Sequence, residues 1–266
     1  MLTTLDNLGY TAIRYEANAP FLSSSSRHRI SYTVLDYIIS RALSLNITVI
    51  IDPIHNYPES TAYTLQSHFS DWEAELLEVG SRYNSKSNVI LECVNEYKLS
   101  DASTKFQAIV TYLRNHDVTL PLHFNYMRGS VGTLTPPKDP LGKISIGHHI
   151  YGDHNSDHSY MRSGETWVQY CTRIGLEARE KKMFTSTETC WFGYALSRGT
   201  KVLCTEVGGS NREVMTPYNV AFIIRTLEYA KMYGVGITCF RVGDPSNIAA
   251  YERKAQEYFH RSLYTP

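Results

Sequence analysis

Two glutamates stand where apolar strands run out. Glu96 closes the run Asn88-Val89-Ile90-Leu91-Glu92-Cys93-Val94-Asn95, and Glu206 closes Lys201-Val202-Leu203-Cys204-Thr205. A strand buried on both faces reads as a continuous Val/Ile/Leu run, and a carboxylate at its exit is costly to place. In parallel α/β proteins the carboxyl ends of the strands open onto the face that carries the chemistry. Two such carboxyl groups suit an acid/base and a nucleophile, one holding a proton for a leaving group and the other attacking as the anion.

Strands of the required kind occur seven times: Thr11 to Tyr15, Ile47 to Asp52, Asn88 to Val94, Thr119 to Phe124, Ile144 to His149, Lys201 to Thr205 and Gly236 to Val242. Helical patterns lie between them. Val34, Leu35, Ile38, Ile39, Ala42 and Leu45 recur at helical spacing, and Thr216-Pro217 opens a helix carrying Val220, Ile223, Ile224 and Leu227. Alternating strand and helix predicts a parallel sheet. Polar residues gathered at strand ends favour a closed (β/α)8 barrel over an open doubly wound sheet, and Val207-Gly208-Gly209-Ser210 is too short for a dinucleotide-binding turn. Ser23 to Arg29 and Arg128 to Lys143 lack a helical period and read as loops at the rim of the site. No repeat or second domain is evident, so residues 1–266 read as one catalytic barrel domain.

The chain carries 26 Lys+Arg against 26 Asp+Glu, with a sequence pI near 7.1. That balance gives no electrostatic footprint for nucleic acid or an anionic membrane surface, and points to an uncharged partner. No apolar run approaches the roughly 20 residues of a membrane span. Met1 to Asp6 lacks the basic and hydrophobic parts of a signal peptide. Of five cysteines, Cys93, Cys204 and Cys239 fall inside apolar strands as small core residues, which leaves Cys171 and Cys190 as the pair that could bridge.

Taken in order, the strand ends read Ala12-Ile13-Arg14, Ile50-Ile51-Asp52-Pro53-Ile54-His55-Asn56-Tyr57, Glu92-Cys93-Val94-Asn95-Glu96, His149-Ile150-Tyr151 and Thr205-Glu206-Val207-Gly208. Phe69-Ser70-Asp71-Trp72 through Ser81-Arg82-Tyr83-Asn84 reads as the helix leading into the Glu96 strand. This succession resembles glycoside hydrolase family 5, the clan A (β/α)8 barrels that include cellulases and β-mannanases. The resemblance spans nearly the whole chain. It implies a retaining β-glycanase acting within a β-1,4-linked glucan, or next a mannan, without metal or organic cofactor.

A retaining glycosidase holds its two carboxyl groups about 5 to 5.5 Å apart across the scissile bond. The resemblance makes Glu96 the acid/base and Glu206 the nucleophile. It also implies that Arg14 orients Glu206, that Asn95 hydrogen-bonds the sugar 2-hydroxyl, that His149 and Tyr151 sit near the nucleophile and the reacting sugar, and that His55 binds sugar. Plainer roles exist for each. Arg14 could instead pair with Glu92, Asn95 could be a turn residue, His149 and His55 could be structural, and Tyr151 could be a loop residue. Tyr57, Tyr97, Trp167 and Trp191 could be stacking platforms or packing.

The chain departs from the family pattern in three places. Tyr97 follows Asn95-Glu96 where proline is usual, and Cys239-Phe240-Arg241 ends the last strand without the usual tryptophan. Leu2 to Leu8 reads as the end of the helix that should follow strand one, so the barrel's first strand is expected to be missing or atypical. The absent signal either places the protein inside a cell or means that its start is incomplete. Two other functions compete: a metal-dependent barrel hydrolase using His154, His158, Asp153 and Asp157 within His148 to His158, and a carbohydrate-binding barrel that has lost turnover.

Overall fold

The computed structural model describes residues 2, 11–17, 21–22, 26–27, 30–53, 69–97, 101–126, 136–151, 169, 172–173, 175–188, 191–208 and 217–239. The chain divides into two compact units, Leu2–Gly147 and His148–Pro266, the latter joined by Met1.

The amino-terminal unit is a parallel sheet of β1 (Ala12–Glu16), β4 (Thr48–Asp52), β5 (Val89–Tyr97), β6 (Leu122–Tyr126) and β7 (Ile144–Gly147), side by side in that order. The register sets Ala12 against Thr48, Val49 against Val89, Leu91 against Leu122 and Leu122 against Ile144. A short antiparallel ribbon, β2 (Phe21–Leu22) and β3 (Ser26–Arg27), falls in the Ser-rich loop.

Among the described residues, three helices lie between the strands: α1 (Tyr32–Ser44), α2 (Phe69–Tyr83) and α3 (Ala102–Asn115). Each buries a stripe at helical spacing. Leu35, Ile39 and Ala42 are the buried face of α1, Trp72, Leu76, Val79 and Tyr83 that of α2, and Phe106, Ile109, Val110 and Leu113 that of α3.

Helices α1 and α3 stop by the same device. The N–H groups of Asn46 and Ile47 bond back to Leu43 and Ala42, and those of Asp117 and Val118 to Arg114 and Leu113. Asn46 and Asp117 take left-handed backbone, with φ of 55° and 61°. This is the Schellman ending, and its apolar last residue, Ile47 or Val118, is fully buried and leads toward the next strand.

A buried ion pair anchors the segment before β7. Arg114 forks onto Asp139 at 2.8 and 3.1 Å, and Asp139 also accepts from the backbone N–H of Lys143 at 2.8 Å. Burial would raise the Asp139 carboxyl, but the Arg114 guanidinium and the backbone N–H groups of Lys143 and Leu141 outweigh it and hold it below its ordinary range. A depressed folded value means stability that is present above the unfolded value of about 3.9 and lost as pH falls through the folded one. We therefore expect Asp139→Asn to cost about 3 kcal/mol near neutral pH. The gap from wild type should close below the acid transition, as read from thermal melting against pH; a constant gap would refute the assignment.

The carboxy-terminal unit holds β8 (Ile150–Tyr151), α4 (Leu176–Thr185), α5 (Phe192–Leu196), β9 (Lys201–Gly208), α6 (Pro217–Tyr233) and β10 (Gly236–Cys239). Both β8 and β10 pair with β9 in parallel. Pro217 opens α6, as Thr216-Pro217 predicts. Phe184, Phe192 and Tyr229 form an aromatic core, with ring centroids 5.6 Å (Phe184 to Phe192) and 5.9 Å (Phe184 to Tyr229) apart. The short α5 sits so close to the end of α4 that a Cβ on Gly193 would meet the Ser186 carbonyl oxygen at 2.5 Å.

One predicted run is split. Ile144 to His149 reads as a single strand, yet β7 stops at Gly147 and pairs with β6, whereas Ile150–Tyr151 pairs with β9. His148 and His149 occupy the break between the two short strands. Among the described residues, no helix is long and apolar enough to cross a membrane.

Candidate active site

Strand β5 carries Glu92, Asn95 and Glu96, and it is not a regular strand. Against β6 it advances from Glu92 to Val94 while the partner moves from His123 to Phe124, then from Val94 to Tyr97 while the partner moves from Phe124 to Tyr126. Each step inserts one extra residue. In regular alternation, side chains three positions apart face opposite ways. The first insertion removes that conflict, and the side chains of Glu92 and Asn95 both reach Arg14 of β1.

Glu96 lies in the second insertion with a φ of 47°. Left-handed backbone costs a residue with a Cβ roughly 1–2 kcal/mol. Such strain persists where the surroundings hold it, and it gathers at functional positions.

Arg14 is the hub of the polar cluster. Its Nε donates to Glu92 Oε2 at 2.7 Å and its Nη2 to Glu92 Oε1 at 2.7 Å, a two-pronged clamp. The same Nη2 reaches Asp52 Oδ2 at 2.8 Å and Asn95 Oδ1 at 3.1 Å, while Nη1 reaches Glu16 at 3.3 Å. Side-chain exposure is 5% for Arg14, 2% for Asp52 and 0% for Glu92. Two buried carboxylates thus share one guanidinium. The ion pair with Glu92, named above as the alternative for Arg14, is present.

The cluster continues through β6. Asn125 Nδ2 donates to Glu92 Oε1 at 2.5 Å, and its Oδ1 accepts from His123 Nε2 at 3.0 Å. His123 Nδ1 lies 3.0 Å from the Ser145 hydroxyl of β7. Because Asn125 must turn its NH2 to the carboxylate, its oxygen faces the imidazole and the proton of His123 sits on Nε2.

In the carboxy-terminal unit, β9 carries Glu206, 3% exposed. His149, 4% exposed, places Nδ1 3.4 Å from Glu206 Oε2 and Nε2 3.1 Å from the Thr205 hydroxyl. Nδ1 is the ring nitrogen turned toward Glu206 and Nε2 the one turned toward Thr205. The Thr205 carbonyl in turn accepts from the Thr238 hydroxyl of β10 at 2.5 Å. His149 thus lies beside Glu206 and is held there through Thr205.

The remaining predicted residues divide. Tyr151 is described by its backbone, paired with Gly208 two positions beyond Glu206. Tyr97 packs on Phe106, its ring centroid 5.8 Å away, and its hydroxyl donates to Asp101 at 2.6 Å. With 8% of its surface exposed, Tyr97 takes the packing role rather than that of a platform. Trp191 donates from Nε1 to Glu188 at 2.9 Å, and the Lys182 ammonium lies 5.8 Å from its ring. His55, Tyr57, Trp167, Cys171, Cys190 and the residues Asp153, His154, Asp157 and His158 lie outside the described residues. Among the described residues, no three His, Cys, Asp or Glu side chains gather to hold a metal ion. Cys93 and Cys204 are free thiols in the core, as predicted, and burial pushes the Cys93 thiol well above its ordinary range.

Sequence reasoning missed Asp52, Asn125, His123 and Thr205 as parts of these clusters. Asp52 and Thr205 end apolar runs as Glu96 and Glu206 do, and that signal was available. Asn125 and His123 carry no signal apart from being polar in a buried strand.

The cellulase family, glycosyl hydrolase family 5, matches the chain over residues 1–246. The chain belongs to glycosyl hydrolase family 5. Its fold is accordingly the (β/α)8 barrel, and the solved structures it resembles agree. A broad-specificity family 5 endoglucanase from an uncultured bacterium superposes with a TM-score of 0.69 at 13% identity, over 98% of this chain and 84% of that one. The cellulose synthase subunit Z of Clostridioides difficile gives 0.66 at 16% identity, over 90% and 82%. A family 5 lichenase from Caldicellulosiruptor sp. F32 gives 0.61 at 20% identity, over 90% and 73%. No curated protein matches the chain. As a family 5 member the chain is a glycoside hydrolase, and both Glu96 and Glu206 fall within the matched residues.

Proposed function

We propose that this chain is a retaining, endo-acting β-glycanase that cleaves β-1,4-linked glucan by double displacement, with mannan the next substrate. The family match carries this reading, because it spans the strands that bear both glutamates. The endoglucanase and lichenase among similar folds favour glucan over mannan.

Glu206 attacks the anomeric carbon while Glu96 protonates the departing oxygen, leaving a glycosyl ester on Glu206. Glu96, now ionised, takes a proton from water, which attacks the same carbon and releases Glu206. His149 orients the Glu206 carboxylate through Nδ1. Asn95 binds the 2-hydroxyl of the reacting sugar, a contact that strengthens as the oxocarbenium-like transition state forms. The ion pair of Arg14 with Glu92 and its hydrogen bond to Asn95 support that geometry from the side of the acid/base.

The test is a screen of carboxymethylcellulose, lichenan, glucomannan and xylan, followed by proton NMR of the first products. Two inversions restore configuration, so β-anomers should appear before mutarotation. Viscosity should drop faster than reducing ends accumulate. An initial α-anomer would refute double displacement, and a rise in reducing ends without loss of viscosity would refute endo action.

A further inference from the structure

We infer that Glu92 is a positioning residue for the reaction, setting the amide orientation of Asn95 through Arg14, with Asn125 as its brace. The inference rests on the reading of Asn95 as the 2-hydroxyl contact.

An asparagine amide presents an acceptor on one side and two donors on the other, and in a buried setting either orientation can fit the same density of atoms. Which one is adopted depends on the neighbour. Arg14 has donors only, so Asn95 must turn Oδ1 toward Nη2, as the 3.1 Å contact shows. With Oδ1 committed to Arg14, the NH2 end of the amide is the group that would donate to the 2-hydroxyl oxygen in the proposed contact.

The guanidinium can select that orientation only if it is itself fixed. Glu92 fixes it, because two parallel bonds of 2.7 Å leave the Arg14 plane little freedom to rotate. Asp52 adds a third bond at 2.8 Å. Glu92 is fixed in turn by Asn125 at 2.5 Å, and Asn125 by His123 at 3.0 Å. The bulge between Glu92 and Val94 lets one strand contribute both the clamp on Arg14 and the amide it orients. A purely structural ion pair would not require Asn95 to share Nη2.

The test compares 4-nitrophenyl β-cellotrioside with its analogue lacking the 2-hydroxyl on the sugar bonded to nitrophenol. Nitrophenolate leaves without protonation, so the comparison isolates the sugar contact from Glu96. Glu92→Gln keeps the side chain's size but removes its charge and one acceptor. It should lower kcat on the hydroxylated substrate about tenfold, the worth of one misdirected hydrogen bond, with KM within about twofold. On the 2-deoxy substrate its kcat should stay within about twofold of wild type, since the contact is absent there. Asn125→Ala leaves the charge pair intact and should give the same substrate-selective loss, smaller in size. It serves if Glu92→Gln fails to fold by circular dichroism.

Equal losses on both substrates overturn the inference and leave Glu92 a structural ion partner. Asn95→Ala separates the two levels. If it too loses equally on both substrates, Asn95 does not read the 2-hydroxyl, and the assignment of Asn95 falls together with the inference. Failure of the wild-type chain to cleave either glycoside overturns the functional reading itself.

Discussion

Replacing Glu206 by alanine is expected to lower turnover of a soluble β-glucan by roughly 10⁵-fold, because the proposed mechanism places the glycosyl ester on Glu206. Replacing Glu96 by alanine should cost roughly 10²–10⁴-fold on the same substrate, the usual worth of a positioned acid/base. The two losses differ in kind as well as size. With a dinitrophenyl glycoside the leaving group departs unprotonated, so the Glu96 variant should form its glycosyl ester at near wild-type rate and then stall. The Glu206 variant should fail at the first step with either substrate. Azide supplies an independent readout, since it fits the space a removed carboxylate leaves. In the Glu206 variant it should attack the sugar directly and give the α-glycosyl azide by a single inversion. In the Glu96 variant it should intercept the ester and give the β-azide by two. Unchanged rates in both variants, or azides of the opposite configuration, would end the assignment of these roles.

Arg14→Met should destabilise the protein by about 4 kcal/mol, because it leaves Asp52 and Glu92 buried without their cation. A chain of this size should then melt about 10 °C lower. Arg14→Lys keeps the charge but cannot fork onto Glu92 while also reaching Asp52 and Asn95, and should fall between the two. The double variant Arg14→Met/Glu92→Leu should lose at least about 1 kcal/mol less than the sum of its single changes, since removing both members of an ion pair avoids leaving either charge without the other. Activity should follow stability only in part, as Asn95 loses the group that orients it. If Arg14→Met cost under about 1 kcal/mol, the cluster would be behaving like an exposed ion pair, and its burial would have no energetic meaning.

The same cluster shows how far sequence reading reaches. The pairing of Arg14 with Glu92 was open to it as one of two alternatives, because both residues fall in apolar strands where a lone charge is costly. The involvement of Asn95 was hidden by arithmetic. Asn95 lies three positions from Glu92, and alternation assigns them to opposite faces. Only the bulge against β6 brings them together, and a bulge is a property of two strands, not one. Asn125 and His123 were hidden for a related reason: a buried polar residue has no readable purpose until its partner is known. His149 lies 3.4 Å from Glu206, and it reaches that place from the break after β7 rather than from a continuous strand.

Taken alone, the sequence determined the alternation of strand and helix, the helix faces, and the positions of Glu96 and Glu206 near the ends of β5 and β9. Those features are local. They follow from the periodicity of burial and from the cost of a carboxylate in an apolar run. The tertiary structure alone decided that Arg14 would be shared between Glu92, Asp52 and Asn95, that Glu96 would take left-handed backbone, and that His149 would bridge Glu206 and Thr205. Each of these depends on which strand lies beside which and in what register, and a single strand's sequence carries no record of its neighbour's register.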